Sequence, residues 1–117
     1  MLIENAARPG AVAALAEPLA RTLGDALHSL WWNGQPERSN AILGRAWQHL
    51  SGPDAIVEGV ADCEIVFPPG AFGQSHPAIA DRIARDVQRC VPDGARVVEF
   101  HAGCGPLGIS LCAVRRA

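Results

Sequence analysis

Arg96-Val97-Val98-Glu99-Phe100-His101-Ala102-Gly103-Cys104-Gly105-Pro106-Leu107-Gly108 is the stretch on which the fold turns. Its first five residues are a short, mostly apolar run that reads as a buried strand of the parallel type. Gly103 to Gly108 then match GxGxxG, and Pro106 to Arg116 read as the helix that follows. Strand, glycine turn and helix in that order are the context the motif needs. Its glycines let the backbone turn tightly and approach a ligand, and the helix start offers unpaired N–H groups. Pro106 falls near the first helical position, where its missing donor costs little. The same pattern also serves as a plain structural turn, so the motif alone leaves both readings open.

Working upstream, Ile79, Ile83, Val87 and Cys90 or Val91 recur at helical spacing, with Pro77 in the first turn and Pro92-Asp93-Gly94 closing the helix. Asp81 with Arg85 and Arg82 with Asp86 supply i,i+4 pairs on its exposed side. Before it, Pro68-Pro69-Gly70 stops a run of short strands: Leu27 to Trp32 ending in an Asn33-Gly34 turn, then residues 41–50 and 55–67. Ser51-Gly52-Pro53-Asp54 supplies turn chemistry between the last two. At the N-terminal side, Val12, Leu15, Leu19 and Leu23 mark one face of a helix that Gly24 ends and Pro18 kinks or splits. The expected order is a helix and antiparallel strands over residues 1–67, then helix–strand–helix over 68–117. That is an α/β chain with α+β character in its first half.

The 117 residues suit one compact domain, which buries roughly two-thirds of its unfolded surface. Hydrophobic residues make up 49% and charged ones 19%, a composition that excludes a disordered tail. A net charge of −2 excludes a strongly basic, histone-like binder. All ten basic residues are Arg, which suits phosphate contacts better than Lys. No run approaches a membrane span, and the start lacks the basic and apolar parts of a secretory signal. Cys63, Cys90, Cys104 and Cys112 form no CxxC pair, so they read as reduced thiols of a cytoplasmic protein. His101 and Cys104 have HxxC spacing, but no conventional four-ligand zinc pattern accompanies them. Trp31, Trp32 and Trp47 read mainly as strand core, with an RNA-stacking platform as the sharper alternative.

Glu99, four residues before Gly103, separates the strand from a dinucleotide-binding one, which runs apolar into its first glycine. Val97-Val98-Glu99-Phe100-His101-Ala102-Gly103-Cys104-Gly105 resembles the first motif of S-adenosylmethionine-dependent methyltransferases. Phe72-Gly73-Gln74-Ser75-His76, one helix upstream, resembles the FxQxN segment of the RNA uracil-5-methyltransferase family. Arg38 to Gly44 and Leu50-Ser51-Gly52 are similar to that family's linking strands, so the likeness covers roughly residues 25–117. It implies a partial Rossmann-like methyltransferase fold preceded by short antiparallel strands. It also implies S-adenosylmethionine as cofactor, with Gln74, Glu99, His101, Gly103 and Gly105 as its contacts, and RNA as partner. Glu99 would hold the loop and meet the ligand's cationic amino-acid part; its plain alternative is to cap the next helix.

Three positions depart from the family pattern: His76 stands for Asn, His101 for Tyr or Phe, and Pro106 for a residue that is often Asn. The family's chemistry uses a Cys that adds to C6 of uracil and a Glu-type base that removes the C5 proton. None of the four cysteines stands in the matching context, and no catalytic residue is assigned. The expectation is a truncated protein of this kind that keeps cofactor binding and covers its sheet edges by self-association or with a partner chain. A non-catalytic structural or protein-interaction module derived from the fold is the alternative.

Overall fold

A computed structural model describes residues 1–115, and the chain divides into two compact units, Met1–Ala55 and Ile56–Ala117. The first is a βα unit followed by an antiparallel pair. Strand β1 (Leu2–Glu4) runs parallel to β2 (Leu30–Gly34), and β3 (Ala46–Ser51) pairs antiparallel on the other edge of β2. Parallel neighbours require a long crossover. Here it carries a 3₁₀ turn at Ala13–Leu15, helix α1 (Ala16–Leu23) and a second 3₁₀ turn at Gly24–Ala26. The change from 3₁₀ to α winding puts Pro18 in the first turn of α1, where the ring is tolerated, and Gly24 ends the helix at φ 49°.

Trp32 is the core of this unit, 1% exposed. Its indole N–H would be orphaned there, and Glu4 supplies the acceptor: Nε1 donates to Oε2 at 2.7 Å. The same carboxylate accepts from the Gly10 and Val12 N–H groups at 3.0 and 3.3 Å, which anchors the chain leaving β1. Together the indole and the two backbone donors hold the Glu4 carboxyl below its ordinary range. Trp31 and Trp47 are half-buried, and Trp31 lies against His49 of β3 with ring centroids 4.7 Å apart.

The second unit is a hairpin packed with two helices. Strands β4 (Ile56–Val60) and β5 (Cys63–Phe67) are antiparallel, followed by α2 (Pro77–Cys90) and α3 (Pro106–Val114). Val60, Ala61, Ile65 and Ala84 form the buried core, with Phe67, Cys104 and Leu107 packed against it. Gln88 of α2 donates from Nε2 to the Ser110 carbonyl of α3 at 3.0 Å, joining the helices by a polar tie. Among the described residues no helix is long and apolar enough to cross a membrane.

The architecture is mixed α/β, and it corrects several local expectations. Asn33-Gly34 is not a turn but the end of β2, paired with Trp47 and Ala46. Residues 55–67 are two strands, because the backbone reverses at Ala61 and Asp62, both at positive φ. Strand β3 begins at Ala46 rather than 41, since the preceding residues are a loop held by the Asn33 side chain. Arg82 does not pair with Asp86; Arg89 does. Most consequential, Arg96 to Phe100 forms no strand, because no other segment pairs with it among the described residues, and Val97, Val98 and Phe100 are exposed. Residue 116, at the expected end of the last helix, lies outside the described residues.

Candidate functional site

A cavity of about 220 Å³ lies within the second unit. Gln74 reaches it from the loop after β5, Glu58 from β4, and Glu99, His101 and Gly103 from the segment that leads into α3. Glu58 and Glu99 are half-buried, whereas Gln74 and His101 are exposed at the mouth. The volume is below the roughly 300–1,000 Å³ that encloses a drug-sized ligand. It therefore suits one end of such a ligand. No arginine lines it among the described residues, so its fixed charge is carboxylate.

Local chemistry sets each position. The loop from Phe100 to Gly105 winds through positive φ at His101, Gly103 and Gly105, at 57°, 59° and 76°. Glycine takes that conformation freely, whereas His101 does so as one of the few non-glycine residues of the chain with positive φ. Gly105 occupies the N-cap of α3, and Pro106 follows at the first helical position. Glu99 accepts from the Gly108 N–H through Oε2 at 3.1 Å, placing an anion over the helix start. The helix-capping role is therefore present, and the same carboxylate also faces the cavity.

Four of the five residues singled out from sequence, Gln74, Glu99, His101 and Gly103, line this one cavity. The fifth, Gly105, is the N-cap of α3 and does not line the cavity. Phe72, the aromatic that opens the glutamine segment, is 77% exposed and lines the cavity too. Cys112, on α3, is exposed. Sequence reasoning passed over Glu58. Its signal was alternation: it shares a strand face with Ile56 and Val60, where a third apolar residue belongs.

The hairpin under the cavity is fixed to α2 by charge. Asp81 accepts the Ala61 N–H at 2.7 Å, and Arg85 donates from Nε to Asp81 at 2.8 Å. Both terminal nitrogens of Arg85 reach Asp62 at 2.9 Å, a bidentate pair on the turn. Hydrogen bonds from Arg85, reinforced by its charge, hold the Asp62 carboxyl below its ordinary range. Asp81 is lowered too, first by Arg85 and then by the Ala61 N–H.

The fold and cavity thus define a mixed α/β chain in which a glycine loop and a glutamine segment meet at one recess. This chain is similar to an uncharacterized RNA methyltransferase of Protochlamydia amoebophila (strain UWE25), with 33% identity over 86 residues. The match takes in 74% of this chain and 22% of that protein, so the chain spans about a fifth of its curated relative's length. The similarity links the chain to RNA methyltransferases in general. No family model matches it.

Proposed function

We propose that residues 68–117 form the start of a Rossmann-like S-adenosylmethionine-binding domain, preceded over residues 1–67 by a helix and short strands. The protein is read as related to the RNA (uracil-5-)-methyltransferases, and the role proposed for these residues is binding of the cofactor. One observation carries this reading: Gln74, from one motif, shares a cavity with Glu99, His101 and Gly103 from the other. Similarity to an RNA methyltransferase supports the same class.

The roles follow from chemistry. The Gln74 amide donates and accepts at the cavity mouth, and the glycine loop lets the backbone approach the ligand. The Glu99 carboxylate has one oxygen on the Gly108 N–H and faces the ligand's ammonium group with its charge. When bound, S-adenosylmethionine supplies a transferable methyl group. A nicotinamide dinucleotide fits less well, because its pyrophosphate would meet two carboxylates and no arginine.

Calorimetry of the chain with S-adenosylmethionine tests the proposal. We expect a saturable heat that Gln74→Ala and Gly103→Val both remove, the second because a β-branched side chain resists positive φ. Neither heat nor thermal shift at millimolar ligand would overturn it. A second reading, a non-catalytic interaction module, is favoured by the 78% and 84% exposure of Val98 and Phe100. Under both readings the unpaired segment at residues 96–100 is covered by a second copy or a partner chain.

A further inference from the structure

The inward face of the β4–β5 hairpin carries an acid in an apolar row. Glu58 lies between Ile56 and Val60 on its strand and opposite Ile65 in the register. Val60 is 4% exposed and Ile65 fully buried. Glu58 itself is half-buried beside them, and Ile56 on the same face is exposed, so the carboxylate keeps part of its contact with water. Outside the strand ladder, no hydrogen bond or ion pair engages the Glu58 carboxylate among the described residues. Arg85, which reaches this hairpin, is committed to Asp62 and Asp81. Glu58 faces the cavity instead, together with Glu99 and with no arginine in the lining.

We propose that Glu58 selects the ligand by charge, its carboxylate facing the sulfonium centre of S-adenosylmethionine while Glu99 faces the ammonium group. This inference rests on the cofactor reading given above. S-adenosylmethionine has two cationic centres, and the cavity presents two carboxylates. Loss of the methyl group turns the sulfonium into a neutral thioether and leaves the ammonium in place. A carboxylate opposite the sulfur therefore separates cofactor from demethylated product, S-adenosylhomocysteine. One opposite the ammonium does not. On this basis Glu58 weakens retention of the spent cofactor relative to the fresh one.

The test is calorimetry of the full chain with each of the two molecules, on wild type, Glu58→Gln and Glu58→Asp. Glu58→Gln keeps the shape and removes the charge, so we expect about tenfold weaker S-adenosylmethionine binding and about twofold change at most for S-adenosylhomocysteine. Glu58→Asp keeps the charge and should retain a preference for the cation. Thermal melts verify that each variant folds, and removing a charge from an apolar face should not lower the melting temperature. Equal weakening for both ligands, or no change for either, overturns the role of Glu58 alone. A wild-type chain that binds neither molecule overturns the cofactor reading, and the inference with it.

Discussion

Asn33 is fully buried, yet every polar atom of its side chain is used. Its Oδ1 accepts the Gly44 N–H at 2.8 Å, and its Nδ2 donates to the Gly44 and Ala46 carbonyls at 3.0 and 3.1 Å. The amide thus stands in for a strand edge and fastens the loop before β3. Gly44 fits because a Cβ there would collide with the Gly34 carbonyl. Asn33→Ala removes three bonds and deprives half-buried backbone groups of Gly44 and Ala46 of a partner, so we expect a loss of about 1–3 kcal/mol, read from the urea midpoint. An unchanged midpoint would contradict the assignment. Asn-Gly is the strongest short hairpin signal in a sequence. It misleads here because a non-local partner, the Gly44 backbone, outweighs the local turn preference. Glu58 was hidden for a related reason: strand alternation is visible in sequence, but which face is buried depends on the helix that packs there.

At the scale of elements, the turn of the β4–β5 hairpin puts Ala61 at φ 48° and Asp62 at φ 65°, strained for residues with a Cβ. Helix α2 offsets that strain through Asp81 and Arg85. Sequence spacing revealed the Asp81–Arg85 pair, but only as an i,i+4 pair on the exposed side of a helix. Its attachment to the turn follows only from the fold. Both aspartates have folded values below their ordinary 3.8, so their contribution is fully present above that value. It is lost as pH falls from about 3.8 through the depressed folded values. The melting temperature of the wild type should therefore drop across that window. Arg85→Met should start lower and drop less steeply, as measured by circular dichroism; parallel pH profiles would count against the clamp. All three helices were legible because 3.6-residue periodicity and Pro or Gly punctuation are local. The hairpin turn was not, since neither Ala61 nor Asp62 announces positive φ as glycine does. The two motifs of the cavity were legible as short patterns, whereas the cavity itself needs α2 to bring them together.

At the scale of the whole molecule, the balance of buried and exposed apolar surface decides how the chain behaves in solution. The expected strand at residues 96–100 failed because an apolar run supplies only half of a ladder; its partner must come from elsewhere. Left unpaired, it exposes Val97 at 52%, Val98 at 78% and Phe100 at 84%. The outer face of the β4–β5 hairpin adds Val57 and Val66, directly opposite each other and also exposed. Unpaired backbone beside apolar side chains is a template for pairing with another chain. We therefore expect sedimentation equilibrium to show mass rising with concentration across the micromolar range. Substituting Val98→Lys and Phe100→Lys together should shift the chain toward monomer by placing like charges on the pairing surface. Both side chains are largely exposed, so folding stability should change by no more than about 0.5 kcal/mol per site. A wild-type chain that stays monomeric at micromolar concentration would contradict the reading, because the exposed segment would then be tolerated without cover.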